Sequence, residues 1–257
     1  MRGYVDTRWG QLHYSSTGSG PRTVVLLHET PLNHAAFQRL IPLLSDTFRV
    51  VAFDSPGYGE SDGPVAPTSI EEYAETVGAA IETLGLDQIV LYGAHTGGSL
   101  ALHLGAVTVA ERVHGIALSG LPFYTDEVRG AKVVRAVPPV ADDGSHLLDT
   151  FLWEPDTYDA EMRSRLVAGV ARDQQTAYRA FHAVYTYEPA KVIDRIGCPV
   201  TLLSHPGDPL FDADNRFSAA VPGARQVVVD TERLPVYWTK PEVVASEIAA
   251  LAASADG

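Results

Sequence analysis

Apolar residues cluster along the chain in short runs that stop at glycine, proline or polar groups. Thr23-Val24-Val25-Leu26-Leu27 and Arg49-Val50-Val51-Ala52-Phe53 are continuous runs of strand length, the pattern of strands covered on both faces. Val113 to Leu118, Pro199 to Leu203 and Gln226 to Val229 repeat it. Tyr4 to Tyr14 alternates around Arg8-Trp9-Gly10 and predicts a hairpin. Between these runs the spacing turns helical: about Ala35 to Leu44, Ser69 to Leu84, the stretch up to about Gly105, Phe211 to Ala220, and Pro241 to Ala252. Ser69 suits an N-cap with Glu72 three residues on, and Pro241 suits a first helical turn. Strands alternating with helices predict a mainly parallel sheet flanked by helices on both faces. From about 122 to 190 no β-run appears, and aromatic and charged residues increase. The chain therefore divides into a core (1–121 and 191–257) and a helical lid (122–190).

Composition narrows the function. A chain of 257 residues with 46% hydrophobic residues fills a sizeable core. A net charge of -13 argues against nucleic acid and anionic membrane surfaces as partners. No apolar run approaches transmembrane length, and Met1-Arg2-Gly3-Tyr4 does not read as a signal peptide. A single cysteine, Cys198, excludes an internal disulfide framework and fits a reducing, cytoplasmic setting. The expected partner is a small, largely apolar substrate, with a homodimer possible. Metal binding has no support from spacing: there is no HExxH, no CxxC and no tight His/Asp/Glu cluster. No cofactor is expected.

The chemistry concentrates at Ile89-Val90-Leu91-Tyr92-Gly93-Ala94-His95-Thr96-Gly97-Gly98. An apolar strand run ends at Gly93, a helical run starts at Gly97, and one polar side chain stands between them. This Gly-x-His-x-Gly resembles the nucleophile elbow of the α/β-hydrolase superfamily, which is normally Gly-x-Ser-x-Gly. Three further landmarks follow the same family order. His28-Glu29-Thr30-Pro31 resembles the oxyanion loop, Asp54-Ser55-Pro56-Gly57-Tyr58-Gly59-Glu60-Ser61 the Asp-x-x-Gly-x-Gly-x-Ser loop, and Pro206-Gly207-Asp208-Pro209-Leu210 the segment with the triad acid. The resemblance covers nearly all of the chain outside the lid and implies an α/β-hydrolase fold.

Two positions depart from that family. His95 stands where the nucleophilic serine belongs. The segment that should hold the triad histidine, Thr231 to Glu242, contains none; Leu234 or Arg233 takes the place. The usual Ser-His-Asp relay cannot run. An elbow nevertheless aims His95 into the pocket, and imidazole titrates near neutral pH. Asp208 keeps the acid position and is placed to accept an N–H from His95. Glu29 replaces a glycine and is either a second acid/base group or a bystander. Resemblance implies that the backbone N–H groups of Thr30 and Thr96 form an oxyanion hole. Phe123, Trp153, Tyr178, Phe181, His182 and Tyr185 are candidates to line the pocket, the last four at helical spacing. Two classes stay open. One is a cofactor-independent enzyme with His95 as general base or nucleophile, acting by elimination, isomerisation, C–C cleavage, cyclisation or serine-free hydrolysis. The other is a non-catalytic ligand-binding protein.

Overall fold

The structure is a computed structural model and describes residues 1–132, 140–153, 156–172 and 174–254, with 174–178 by backbone alone. β1 (Arg2–Thr7) and β2 (Gly10–Thr17) form the expected hairpin. They extend a sheet completed by β3 (Thr23–Leu27), β4 (Arg49–Phe53), β5 (Ile89–Ala94), β6 (Val113–Ser119), β7 (Val200–Ser204) and β8 (Arg225–Val228). The eight strands lie in the order β1-β2-β4-β3-β5-β6-β7-β8. β2 joins β4 antiparallel, and every pair from β4 to β8 is parallel.

The continuous apolar runs are explained by burial on both faces. In β3, Val25 and Leu27 enter one core cluster, while Val24 and Leu26 enter the other, as the two-residue period of a strand requires. All five residues of β3 are buried.

Ten α-helices are described: α1 (Ile41–Leu44), α2 (Ile70–Thr83), α3 (Thr96–His103), α4 (Asp126–Lys132), α5 (Ser145–Leu152), α6 (Ala160–Arg172), α7 (Gln174–Thr186), α8 (Phe211–Ala220), α9 (Val236–Thr239) and α10 (Pro241–Ser254). α2 and α3 pack on one face of the sheet. α1, α9 and α10 cover the other, where Phe37, Tyr92, Tyr237, Trp238 and Ile248 meet. The reciprocal capping box at Ser69 and Glu72 is present, which is why α2 starts there.

The expected helix over 35–44 is broken. A 3-10 turn, His34–Phe37, is capped by Asn33, and α1 follows with Pro42 in its first turn. Proline has no N–H to continue the earlier turn, so the helix restarts around it. Between β6 and β7 the regular elements among the described residues are helices, and they add no strand to the sheet. Among the described residues no helix is long and apolar enough to cross a membrane.

Candidate active site

β5 passes into α3 through a single residue. His95 has φ 47 and ψ -110, a left-handed conformation that a non-glycine residue adopts only where its surroundings impose it. Its N–H donates to the Ser119 carbonyl at 2.9 Å, tying the elbow to β6. The flanking glycines are required by close approach. A Cβ on Gly93 would lie 2.2 Å from the Gly97 carbonyl oxygen, and one on Gly97 would lie 2.1 Å from that of Leu27. The strand order reverses around β3, with β4 on one side and β5 on the other. The crevice beyond the carboxyl ends of such strands is where parallel sheets place their sites.

Three titratable groups converge there from three loops. Asp208 lies in the turn after β7, where its Oδ1 accepts the Leu210 N–H at 2.8 Å. Its Oδ2 accepts from His95 Nε2 at 2.9 Å. Glu29, in the loop after β3, holds Oε2 at 3.8 Å from His95 Nδ1. Its Oε1 accepts from the Tyr237 hydroxyl at 3.2 Å, whereas among the described residues its buried Oε2 has no hydrogen-bond partner. The His95 side chain is 24% exposed, and those of Glu29 and Asp208 are 5% and 6% exposed. The site is therefore reached through the imidazole.

Burial opposes a charge on His95, but the charge and hydrogen bond of Asp208, with the charge of Glu29, outweigh it and push the imidazole up to about 10. Burial likewise raises Asp208. The charge and hydrogen bond of His95 and the Leu210 N–H outweigh it, so Asp208 stays ionised below the usual carboxylate range. Glu29 is raised by burial, partly offset by the charge of His95. Asp208 occupies Nε2, so the ring nitrogen outside that bond is Nδ1, and it faces Glu29. Among the described residues the amides of Thr30 and Thr96 donate to no backbone carbonyl; Thr96 opens α3, where N–H groups lack intrahelical acceptors.

The segment from Thr231 to Glu242 has another task. Leu234 is 2% exposed within the core. Its N–H donates to the Thr157 carbonyl at 2.8 Å, Arg233 Nη1 reaches the Tyr158 carbonyl, and Trp238 Nε1 donates to Asp159 at 2.9 Å. It fastens the helices inserted between β6 and β7 to the core. An open hollow lined by Asp230, Thr231, Glu232, Arg233, Thr239 and Lys240 includes none of the three converging groups.

The aromatic candidates divide. Phe181 stacks on Tyr185 with centroids 6.0 Å apart, and Tyr185 meets Tyr124 at 6.0 Å. Phe123 packs edge-on against Phe217. His182 is exposed on α7, because the helical stripe is narrower than the four positions assigned to it. Trp153 is also exposed and stacks on Tyr158. Neither belongs to a buried lining. The side chain of Tyr178 lies outside the described residues.

Sequence reading missed two groups. Gly120, at φ +62, leaves room for the His95 ring: a Cβ there would lie 2.4 Å from Cδ2 and 2.9 Å from Asp208 Oδ2. Asp214 is fully buried, accepting the Leu121 N–H and bonding the Ser204 hydroxyl, both at 2.7 Å. Burial pushes its carboxyl up to about 7 against those two bonds. The expectation of no tight His/Asp/Glu cluster is also corrected. His13 and His34 place Nδ1 at 2.9 and 2.7 Å from the two oxygens of Asp54, and the three ligand atoms lie within 4.8 Å of one another. Residues this far apart in sequence show no ligand spacing. The Asp54 oxygens also accept the N–H groups of His34 and Glu60, so hydrogen bonds already account for the carboxylate.

Comparison with known families agrees with this fold. Residues 22–154, just over half of the chain, match the family model described as alpha/beta hydrolase fold. The chain belongs to the α/β hydrolase fold family. It is 33% identical over 141 residues to haloalkane dehalogenase 2 of Mycobacterium bovis, covering 53% of this chain and 49% of that protein. It is 34% identical over 173 residues to bifunctional epoxide hydrolase 2 of Sus scrofa, covering 64% and 29%. The chain thus matches about half or less of the length of these curated relatives. Solved structures resemble it throughout: a bromoperoxidase from Bacillus anthracis (TM-score 0.82, 15% identity, 98% of this chain and 99% of that one) and the enol-lactonase from Burkholderia xenovorans LB400 (TM-score 0.80, 20% identity, 97% and 99%). At those identities the likeness is one of fold.

Proposed function

We infer that this protein is a cofactor-independent enzyme that applies acid–base catalysis to a small, largely apolar carbonyl compound. The observation that carries this reading is the commitment of His95 Nε2 to Asp208, which leaves Nδ1 at the elbow tip as the ring nitrogen that exchanges a proton, an acceptor when the ring is neutral and a donor when it is charged. Nδ1 takes a proton from substrate or water, Asp208 stabilises the imidazolium that forms, and Glu29 is the second proton carrier. The amides of Thr30 and Thr96 hold the developing oxyanion. The helices between β6 and β7 form the lid, with Tyr124, Phe181 and Tyr185 as its apolar wall.

With neither a serine at the elbow nor a histidine in the last loop, no acyl-enzyme forms by the usual relay. Proton abstraction beside a carbonyl gives elimination, isomerisation, C–C cleavage or cyclisation. Activation of water gives hydrolysis, the reaction class named for the epoxide hydrolase relative. A non-catalytic binder needs no ionisable side chain at the elbow, and still less one held by a carboxylate.

The test is turnover across a panel of esters, lactones, epoxides and enolisable ketones, followed by His95→Ala and Asp208→Asn on whichever substrate reacts. Both variants should lower turnover, Asp208→Asn by about 10²–10⁴-fold, the span of a general base and its orienting partner. Unchanged turnover in both would remove the role from His95.

A further inference from the structure

Among the described residues the Glu29 side chain has one hydrogen bond, the one its Oε1 accepts from the Tyr237 hydroxyl at 3.2 Å. Its main chain is pinned separately: the Glu29 carbonyl accepts from the Leu32 N–H and from His28 Nδ1, both at 2.9 Å. Oε2 stands 3.8 Å from His95 Nδ1, near enough for its charge to act and too far for a hydrogen bond. A buried carboxylate oxygen beside an imidazole gains by closing such a distance, because desolvation without a bond is costly. The Tyr237 hydroxyl is the contact that opposes closure. Its ring is fully buried and held between Phe37 and Tyr92, with centroids 4.9 and 6.3 Å away. The Tyr92 hydroxyl is engaged with Ser119 at 2.9 Å, so it does not compete for Glu29.

We propose that Tyr237 is a positioning residue: it holds the Glu29 carboxyl off His95 and so keeps Nδ1 out of a second carboxylate bond. The proposal rests on the acid–base reading above, in which Nδ1 exchanges a proton with substrate or water. An imidazole bonded to a carboxylate at each nitrogen is held in its charged form, with no nitrogen left to act as a base. The other titratable groups around this pair are Asp208 and Asp214, which act on His95, Asp208 again on Glu29, and Tyr92 and Tyr158 on Tyr237. Among the described residues none of them donates to the Glu29 carboxyl. Tyr237 belongs to the segment from Thr231 to Glu242, which lacks a histidine. The three departures at the elbow, the oxyanion loop and this segment thus meet in one chain of contacts: Asp208, His95, Glu29, Tyr237.

The experiment is imidazole NMR on the whole protein, which needs no substrate. In the unmodified protein His95 should show one low-field ring N–H, from Nε2 to Asp208. Tyr237→Phe keeps the ring and removes only the hydroxyl. Glu29 should then close on Nδ1, a second low-field N–H should appear, and the His95 midpoint should rise by about one pH unit, as a new bond to a charged group requires. On any substrate that reacts, turnover below that midpoint should fall about tenfold, because the neutral fraction of the base falls tenfold per pH unit. Adding Glu29→Leu to Tyr237→Phe should remove the second resonance. An unchanged spectrum in Tyr237→Phe would make Tyr237 a packing residue and overturn the proposal. A lowered His95 midpoint would also overturn it, since Glu29 would have taken a proton and not moved, as would a second resonance that survives Glu29→Leu. Should Tyr237→Phe fail to fold, the unmodified protein still decides: two low-field ring N–H signals there would show Nδ1 already bonded. Each of these failures leaves the acid–base reading standing, because that reading is judged by turnover in His95→Ala and Asp208→Asn.

Discussion

Gly120→Ala should damage the site without replacing any titratable group. Two costs add. The residue sits at φ +62, where an L side chain loses about 1–2 kcal/mol. The new methyl would lie 2.4 Å from His95 Cδ2, 2.5 Å from Nε2 and 2.9 Å from Asp208 Oδ2, well inside contact distance, and overpacking of this kind costs about 1–3 kcal/mol. If the ring stays in place, the variant loses about 2–5 kcal/mol in urea denaturation. If the ring swings away, the overpacking cost is avoided, but the 2.9 Å bond to Asp208 is broken and its contribution to stability is lost with it. Burial then dominates, and His95 should titrate far below about 10. Denaturation and an imidazole NMR titration on the same samples separate the two outcomes. A variant within about 0.5 kcal/mol of the parent, with His95 still titrating near 10, would refute the claim that Gly120 makes room for the ring.

The remaining predictions concern pH and reactivity. The folded-state value of His95 is raised from 6.5 to about 10, so its stabilising contribution is complete below 6.5 and disappears as pH climbs through 10; Asp208→Asn should shrink that loss in denaturation curves and shift the titration downward. As a base, His95 works only when neutral, so turnover should rise with pH through the same range, and a flat profile would exclude it as the base. Asp214 is raised from 3.8 to about 7, so the folded state holds its proton more tightly and stability should fall between those values; Asp214→Asn should flatten that decline. Fluorophosphonate probes should leave the protein unlabelled, and His95→Ser should show no esterase activity, because the last loop carries Leu234 and no histidine. Stoichiometric serine labelling of either protein would contradict this.

Much of the architecture is local and was legible in the sequence. The apolar runs of β3, β4 and β5 fix strands buried on both faces, Ser69 and Glu72 fix the start of α2, and Gly93-x-His95-x-Gly97 fixes a strand-to-helix turn with an imidazole at its tip. Those features depend on neighbours a few positions away, where propensity and sterics act directly. The chemistry of that imidazole depends on groups far off in the chain. Asp208 is 113 positions from His95, and Tyr237 is 208 positions from Glu29. Only the reversal of strand order around β3 brings their loops to one crevice. The need for glycine at 120 arises from a ring across the site, and the elevation of Asp214 from burial that no spacing announces. The same distance hid the His13–Asp54–His34 cluster and made His182 and Trp153 look like lining. A side chain's period along a helix says which residues share a face, and packing against the rest of the molecule decides which of them are buried.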